Sequence, residues 1–432
     1  MKRLLTRLLT GPGCAARALA CALAVAAAPA QAAGNVVGVY VPNWAPPALL
    51  EQLPARSVTH LLYAFLRLCG PGQLSKDEAA CQGRSDFQLA TSDTEQTFDA
   101  AFAQFKRRAP QVKVVASVGG WGGSDPFFHL ANDAAKRAVF VASAVEFLRQ
   151  HPAFDGIDID WEHPTSNGSA NGVPLGQPED GQGYADLLQD LRFGLDALGR
   201  ERGRRYLVTS AVNTTDAIVS KVNFRAAASA LDLLFMMSYD FYGSWSAQAG
   251  HHTALRDSSP GRNDSLQGAV QALRRAGMPR AKLVAGVAMY GRGFTGVTLP
   301  PTGALTGMPR EGVFPGADGS IPYREIRAQW LDDQGRGLQG FEARFDAVTR
   351  AWSLWNPLTR QWLGYDDPRA VAEKARYARR EGLAGVFAWE YSQDNGELLG
   401  AMNRGLRGAR DQKRLFRPTN TPPRSGNSSN GT

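Results

Sequence analysis

Short runs of β-branched and apolar residues recur along the chain from Val36 onwards, and stretches with helical periodicity separate them. In the first such stretch, Phe98, Phe102 and Phe105 are spaced as on one face of a helix. Parallel strands joined by right-handed helical crossovers can close into a (β/α)8 TIM barrel, the α/β fold that we predict, with an open doubly wound sheet as the alternative. Eight runs supply the strands: residues 36–40, 59–66, 113–118, 156–160, 207–211, 233–238, 283–288 and 385–389.

The distances between successive runs locate an insertion. The fifth and sixth runs begin 26 residues apart, a normal β/α unit, but the seventh and eighth begin 102 residues apart. Residues 293–363, within this gap, contain strand-like and helical patterns of their own. We therefore predict a barrel over residues 33–403 with a small α+β insertion, residues 293–363, on its C-terminal rim, where βα loops gather and active sites form.

Residues 1–32 are typical of a secretory signal peptide. Four basic residues precede an apolar run over residues 18–28, and small residues around Ala30 offer a cleavage site. The run is too short to span a bilayer, and no later segment approaches that length. We therefore expect a secreted protein, extracellular or periplasmic, without an integral membrane segment; a buried N-terminal helix or lipidation at Cys21 is the alternative.

The net charge of +8 comes from the two ends of the chain. Residues 1–32 carry four basic and no acidic residues, and residues 404–432 carry seven basic residues against one aspartate. The body between them is therefore mildly acidic, and a nucleic-acid partner is not indicated. The composition of residues 404–432, rich in Pro, Ser and Asn, predicts a disordered basic tail.

Two cysteines, Cys69 and Cys81, remain once the signal segment is set aside. A lone pair in an exported chain favours one disulfide that closes a short loop, with two free thiols as the alternative. No other cysteine is left to complete a metal site with them.

The stretch FDGIDIDWEHP, residues 154–164, places carboxylates in a run that otherwise resembles a buried strand. Residues two apart in a strand lie on the same side, about 6.6 Å apart, so Asp158, Asp160 and Glu162 share one face. In a parallel barrel the other face packs against the helices, and the acids point inward and towards the open end. Like charges so close cannot all stay ionised, so at least one pKa must rise and a proton is held near neutral pH, as a general acid requires. The opposite face carries Ile157, Ile159 and Trp161.

Other interpretations of the same stretch are a solvent-exposed edge strand, a purely structural cluster, and a magnesium or calcium site on the three carboxylates. The apolar run inside a βα repeat does not resemble an edge strand. No glycine register of a calcium loop follows, and His163 stands directly before Pro164. We therefore predict a catalytic cluster and no metal.

Residues 154–162 match the signature of the family 18 glycoside hydrolases, the chitinases and their relatives, at every position. The likeness extends from Val36 to Asn403, and the insertion resembles that of one chitinase subgroup. Four further segments resemble family motifs, in the expected order at strand ends: SVGG (117–120), MSYD (237–240), YGRGF (290–294) and AWE (388–390).

The resemblance implies a retaining mechanism in which the substrate's own 2-acetamido group is the nucleophile. Glu162 would be the acid and then the base. Asp160 would hold the acetamido N–H, Asp158 would share a proton with Asp160, and Tyr239 would donate its hydroxyl to the acetamido oxygen. Asp155 would support the strand end; the other structural motif positions are Ser117, Gly119 and Gly120.

The resemblance also implies the residues that contact the sugar. Trp389 would stack under the sugar at the cleavage point. Trp121, Trp44 and Trp245 either continue this stacking platform or pack on the rim. No cofactor is expected, because the substrate supplies the nucleophile. The substrate-binding positions are Tyr40, Phe65, Trp121, Met237, Asp240, Tyr290, Arg292 and Trp389.

The acetamido requirement indicates chitin or another N-acetylglucosamine-containing oligosaccharide as the partner, and we expect a monomeric, endo-acting chitinase. One alternative is an endo-β-N-acetylglucosaminidase or peptidoglycan-type hydrolase of the same family. Another is a non-catalytic chitin-binding lectin, which the presence of Glu162 together with Asp160 and Tyr239 disfavours. The fifth predicted strand, residues 207–211, only loosely resembles its family counterpart, and no site residue is predicted on it.

Overall fold

The computed structural model describes residues 36–166 and 174–407. The predicted signal segment, residues 1–32, lies outside these ranges, as does the predicted tail from residue 408 onwards. Residues 404–406, which were assigned to the tail, belong to the last described helix, Glu397–Leu406.

Eight parallel strands in the described ranges form a closed barrel, which confirms the predicted fold class. Each strand pairs with its neighbours along the chain, and the first strand pairs with both the second and the last, which closes the ring. The barrel strands are β1 (Val36–Pro42), β2 (His60–Leu68), β4 (Lys113–Gly119), β5 (Gly156–Asp160), β6 (Leu207–Asn213), β7 (Leu233–Met237), β8 (Leu283–Ala288) and β15 (Gly385–Trp389). A two-residue strand, β3 (Leu89–Ala90), pairs antiparallel with the end of β2.

Helices pack outside the barrel, and the helix that begins at Asp93 contains the spacing of Phe98, Phe102 and Phe105 that predicted it. It begins with a capping box, in which the Ser92 side chain accepts a backbone N–H of the first turn and the Glu95 side chain accepts the Ser92 backbone N–H. The α-helices are α1 (Leu49–Gln52), α2 (Glu78–Cys81), α3 (Asp93–Arg108), α4 (Asp125–Leu130), α5 (Ala134–Gln150), α6 (Asp180–Arg202), α7 (Asp216–Val219), α8 (Phe224–Ala227), α9 (Leu266–Arg275), α10 (Tyr323–Trp330), α11 (Pro368–Arg380) and α12 (Glu397–Leu406). Short 3-10 helices span Ala55–Ser57, Ser75–Asp77, Arg280–Lys282 and Tyr391–Gln393.

The predicted α+β insertion lies between β8 and β15. Its sheet begins at Tyr290 and ends at Tyr365, three residues before and two after the predicted limits, because the first and last strands pair with each other beyond them. Helix α10 packs beside this antiparallel sheet. The strands are β9 (Tyr290–Thr295), β10 (Gly312–Phe314), β11 (Ser320–Pro322), β12 (Glu342–Asp346), β13 (Ala351–Asn356) and β14 (Gln361–Tyr365).

Two apolar layers determine which way the residues of β5 point. Ile157, Ile159 and Trp161 belong to the large core shared with the outer helices, and the Trp161 ring stacks on Phe127 at 5.8 Å. Asp158, between them, is fully buried on the inner side. The alternation read from the sequence therefore has the predicted direction, with the acids inward.

Cys69 and Cys81 form a disulfide, with their Cα atoms 5.6 Å apart. It closes a loop between β2 and β4, on the C-terminal side of the barrel. Among the helices of the described ranges, none combines the length and hydropathy that crossing a bilayer requires.

Candidate functional site

The candidate site begins where β5 ends at the barrel mouth. Asp158 and Asp160 are buried, with relative exposures of 0% and 3%, and the side chain of Glu162, two residues beyond the strand, is 16% exposed. Along this face of the chain, each acidic residue is less deeply buried than the one two positions before it. Glu162 is the most exposed of the three carboxyl groups and is still largely desolvated, and both Asp160 and Glu162 line the cleft.

Asp158 is held by three hydroxyl groups from three other strands. Tyr40 and Ser117 donate to its Oδ2 at 2.9 and 2.7 Å, and Thr209 donates to its Oδ1 at 2.6 Å. Ser117 and Thr209 are the register partners of Asp158 on β4 and β6. Burial raises the pKa of Asp158, and these hydrogen bonds oppose the rise.

Asp160 lies above Asp158 without comparable support. Its Oδ1 is buried and has no hydrogen-bond partner among the described residues. Burial, together with the negative charges of Glu162 and Asp158, raises its pKa well above the usual range. The carboxyl therefore holds a proton readily and keeps one oxygen available for a donor from a ligand.

Glu162 is fixed through its backbone, because its N–H donates to Ser124 Oγ at 3.0 Å. Burial and the nearby negative charge of Asp240 raise the pKa of its carboxyl to about 8. The neighbouring His163 has its Nε2 3.8 Å from Glu162 Oε2, and burial lowers the pKa of this imidazole to about 4. Near neutral pH the pair is thus a protonated carboxyl beside an uncharged ring, which suits a general acid.

Asp240, after β7, is ionised. Arg292 donates to both of its oxygens, from Nε at 2.9 Å and from Nη2 at 3.0 Å, and the Nδ1 of buried His252 lies 3.5 Å from its Oδ1. Burial alone would raise its pKa, but the His252 and Arg292 interactions outweigh that effect and lower it far below the usual range. A fixed negative charge therefore faces Glu162.

Tyr239 is buried beside these acids, and its ring meets that of Tyr290 edge to face at 6.3 Å. Burial and the negative charge of Asp160 raise the pKa of its hydroxyl well above the usual value. The phenol therefore stays protonated and can donate a hydrogen bond.

Aromatic rings form the floor of the site. Trp389, the last residue of β15, stacks on Phe65 at 5.7 Å between ring centres and lies 5.2 Å from the ring of Tyr40. Trp44 is 6.1 Å from Trp389 on the side facing the rim. An apolar face of this kind suits the C–H surface of a sugar ring.

A cleft of about 1120 Å³ lies over the barrel mouth and brings together most of the predicted residues. Trp44, Trp121 and Trp245 line it with exposures of 59%, 61% and 61%, which favours a binding platform over rim packing. Asp158 lies beneath the lining and contacts it through Tyr40. The predicted residues on the surface of the cleft are Tyr40, Phe65, Gly119, Trp121, Asp160, Glu162, Met237, Tyr239, Asp240, Tyr290, Arg292 and Trp389.

The remaining motif positions have structural contacts. Asp155 pairs with Lys106 at 2.6 Å and Arg204 at 2.9 Å. Gly119 has a φ of 110°, and a Cβ there would clash with the carbonyl oxygen of Asp160. A Cβ on Gly120 would clash with the Phe65 ring. These residues fix the strand ends that carry the acids.

Sequence reasoning missed Thr209, Asn213 and His252. The first holds Asp158, the second lines the cleft and the third contacts Asp240. The inward alternation of β6 could have indicated Thr209, since it stands in register with Asp158. His252 carried no local signal, because its contacts with Asp240 and Tyr290 form only in the folded chain. In the described part of the chain, no three His, Cys, Asp or Glu side chains are placed to share a metal ion.

Comparison with known proteins places these features in a family. The model of glycosyl hydrolases family 18 matches residues 36–394. Chitinase A of Pseudoalteromonas piscicida is 34% identical over 86% of this chain, which spans only 52% of that protein. The probable endochitinase of Orgyia pseudotsugata multicapsid polyhedrosis virus is also 34% identical, over 83% of this chain and 69% of its own length. A solved family 18 chitinase from Cycas revoluta, in complex with (GlcNAc)3, superposes with a TM-score of 0.70 at 27% identity, over 86% of this chain and 100% of that one.

Proposed function

The chain belongs to the glycosyl hydrolases of family 18, and we propose that it is a secreted chitinase, cutting β-1,4 bonds between N-acetylglucosamine units by a retaining, substrate-assisted mechanism. The observation that carries this proposal is the position of Glu162 at the open end of a row of buried carboxyl groups, where burial and the charge of Asp240 raise its pKa to about 8. The endochitinase named among its relatives supports endo-acting cleavage.

In the first step Glu162 transfers its proton to the glycosidic oxygen, and the C1–O bond breaks. The carbonyl oxygen of the substrate's own acetamido group attacks C1, which gives an oxazolinium ion. A carboxylate nucleophile is unnecessary, because the substrate supplies that atom. The ionised Glu162 left behind is the base that the second step needs.

In the second step a water molecule gives a proton to Glu162 and attacks C1, which opens the oxazolinium ring and restores the acetamido group. Two displacements at C1 leave its configuration unchanged. Glu162 ends protonated, ready for another cycle.

Asp160 and Tyr239 hold the acetamido group in this scheme. The Oδ1 of Asp160 has no partner among the described residues, and it is suited to accept the acetamido N–H. The Tyr239 hydroxyl, which burial keeps protonated, donates to the acetamido oxygen. Asp158 shares a proton with Asp160, and its three hydroxyl donors keep it in place. The Trp389 face supports the sugar ring.

The disulfide supports export, since disulfides persist in oxidising compartments. We propose accordingly that residues 1–32 are a removed signal peptide. We propose further that the catalytic barrel continues to the end of α12 at Leu406, with the insertion over Tyr290–Tyr365, and that the mature protein is a monomer.

Side-by-side assays with fluorogenic chitobiose and chitotriose conjugates, a glycoprotein and bacterial cell wall test the proposal. Release of fluorophore, with no product from the other two substrates, is the expected result. Cleavage of the glycoprotein alone would reassign the chain to an endo-β-N-acetylglucosaminidase, and cleavage of cell wall alone would reassign it to a peptidoglycan hydrolase. Sugar binding without any cleavage would identify a lectin.

A further inference from the structure

The loop that Cys69 and Cys81 close forms part of the wall of the same cleft that contains Glu162. Gln73, Leu74, Lys76 and Asp77 of this loop line the cleft, although none of them belongs to a barrel strand. The cleft therefore extends beyond the barrel mouth, past the rings around Trp389. No residue of this outer region takes part in the proposed chemical steps.

The shape of the loop is fixed from several sides. Besides the disulfide, the Gly70 N–H donates to Gln73 Oε1 at 2.9 Å. Arg67, near the end of β2, pairs with Asp77 at 2.9 Å and with Glu95 at 2.5 Å. This wall is thus organised before any ligand arrives, which lowers the entropic cost of binding.

The loop also rests on the segment that holds the general acid. A Cβ on Gly72 would come within 2.5 Å of Asp125 Cβ, so the loop packs closely against the start of α4. Ser124, directly before that helix, accepts the hydrogen bond from the Glu162 N–H at 3.0 Å. The loop therefore has a fixed position relative to the site of cleavage.

The surface that the loop offers combines an apolar contact with polar groups. Leu74 is partly buried, whereas Lys76 is exposed, and the Lys76 side chain has no hydrogen bond or ion pair with any described residue. An ammonium group next to an apolar side chain suits a pyranose ring, whose C–H face meets the leucine while its hydroxyl and acetamido oxygens accept from the lysine.

We propose that the disulfide-closed loop, residues 69–81, is a distal subsite for further N-acetylglucosamine units of the polymer, with Lys76 as a hydrogen-bond donor to them. The subsite rests on the proposed function, since it extends the same cleft. It gives the enzyme a preference for longer chains, because only a long oligomer reaches the loop while it occupies the Trp389 region.

Calorimetry in a Glu162→Gln background, with N-acetylglucosamine trimer and hexamer as probes, tests the subsite. Lys76→Ala is expected to weaken hexamer binding about fivefold, as the loss of one hydrogen bond predicts, and to change trimer binding much less. Lys76→Glu should enlarge the difference. Lys221→Ala, at an exposed lysine elsewhere on the surface, is the matched control and should leave the trimer-to-hexamer ratio unchanged.

Equal weakening of both oligomers, or no weakening of the hexamer, would overturn the subsite and leave the proposed function intact. A parent protein that binds neither oligomer would overturn the proposed function and the subsite together.

Discussion

Thr209 Oγ1 donates a hydrogen bond of 2.6 Å to Oδ1 of Asp158, deep in the barrel. Thr209 is fully buried, and it stands opposite Asp158 in the pairing of β6 with β5. The carboxyl of Asp158, the most deeply buried of the three acids, is therefore held on the side opposite to Ser117. This contact lowers the pKa of Asp158 and opposes the effect of burial.

Thr209→Val, which keeps the shape and removes the hydroxyl, is expected to destabilise the fold by about 1–3 kcal/mol, because a buried carboxyl loses one of its three donors. Turnover should fall as well, since Asp158 is released on one side. Chemical denaturation and steady-state kinetics measure the two effects. Thr209→Ser keeps the donor and is the control; a valine variant as stable and as active as the parent would show that the contact is unimportant.

Glu162→Gln is expected to fold normally and bind oligosaccharide, but to lose turnover by a factor of at least about 100, because the amide cannot supply the proton. Circular dichroism, calorimetry and an oligosaccharide assay separate these outcomes. Glu51→Gln, on the exposed side of α1, serves as the control. A Glu162→Gln protein with the parent's rate would refute the role given to Glu162.

The rate should fall as pH rises through about 8, because Glu162 acts as an acid only while it holds its proton. The charge of Asp240 helps to raise the pKa of Glu162, so Asp240→Asn is expected to move the alkaline limb of the kcat/KM profile to lower pH. Asp333→Asn, on the exposed surface of the insertion, should leave the limb in place. An alkaline limb that stays at the same pH, or moves to higher pH, in the Asp240→Asn protein would contradict the electrostatic argument.

The disulfide has a direct chemical test. Mass spectrometry of non-reduced peptides should find Cys69 joined to Cys81, and a Cys69→Ser, Cys81→Ser protein should be less stable by about 3 kcal/mol, because the open loop gains freedom in the unfolded chain. Thermal melts with and without reductant measure the loss. Separate unmodified peptides from the native protein would show that the thiols are free.

The sequence predicted the barrel and the inward direction of the acids because both depend on local alternation. β5, β8 and β15 have the predicted limits, although β5 carries two aspartates. β6 extends two residues further, to Asn213, because its pairing with β7 continues through Val212 and Asn213, opposite Met236 and Met237.

Contacts between distant residues lay beyond sequence reasoning. Tyr40 reaches Asp158 across 118 positions, and the pair formed by Arg292 and Asp240 spans 52. Motif resemblance named all of these residues without showing which ones touch. His252 received no role in the sequence analysis, since only the folded chain brings it to Asp240.

The central claim is that Glu162 supplies the proton while the substrate supplies the nucleophile, and the anomeric form of the first product tests it most directly. NMR spectra recorded early in the hydrolysis of a chitin oligomer, before mutarotation, should show the new reducing end as the β-anomer. An α-anomer at that stage would mean a single inverting displacement by water, and attack by the acetamido group would be ruled out.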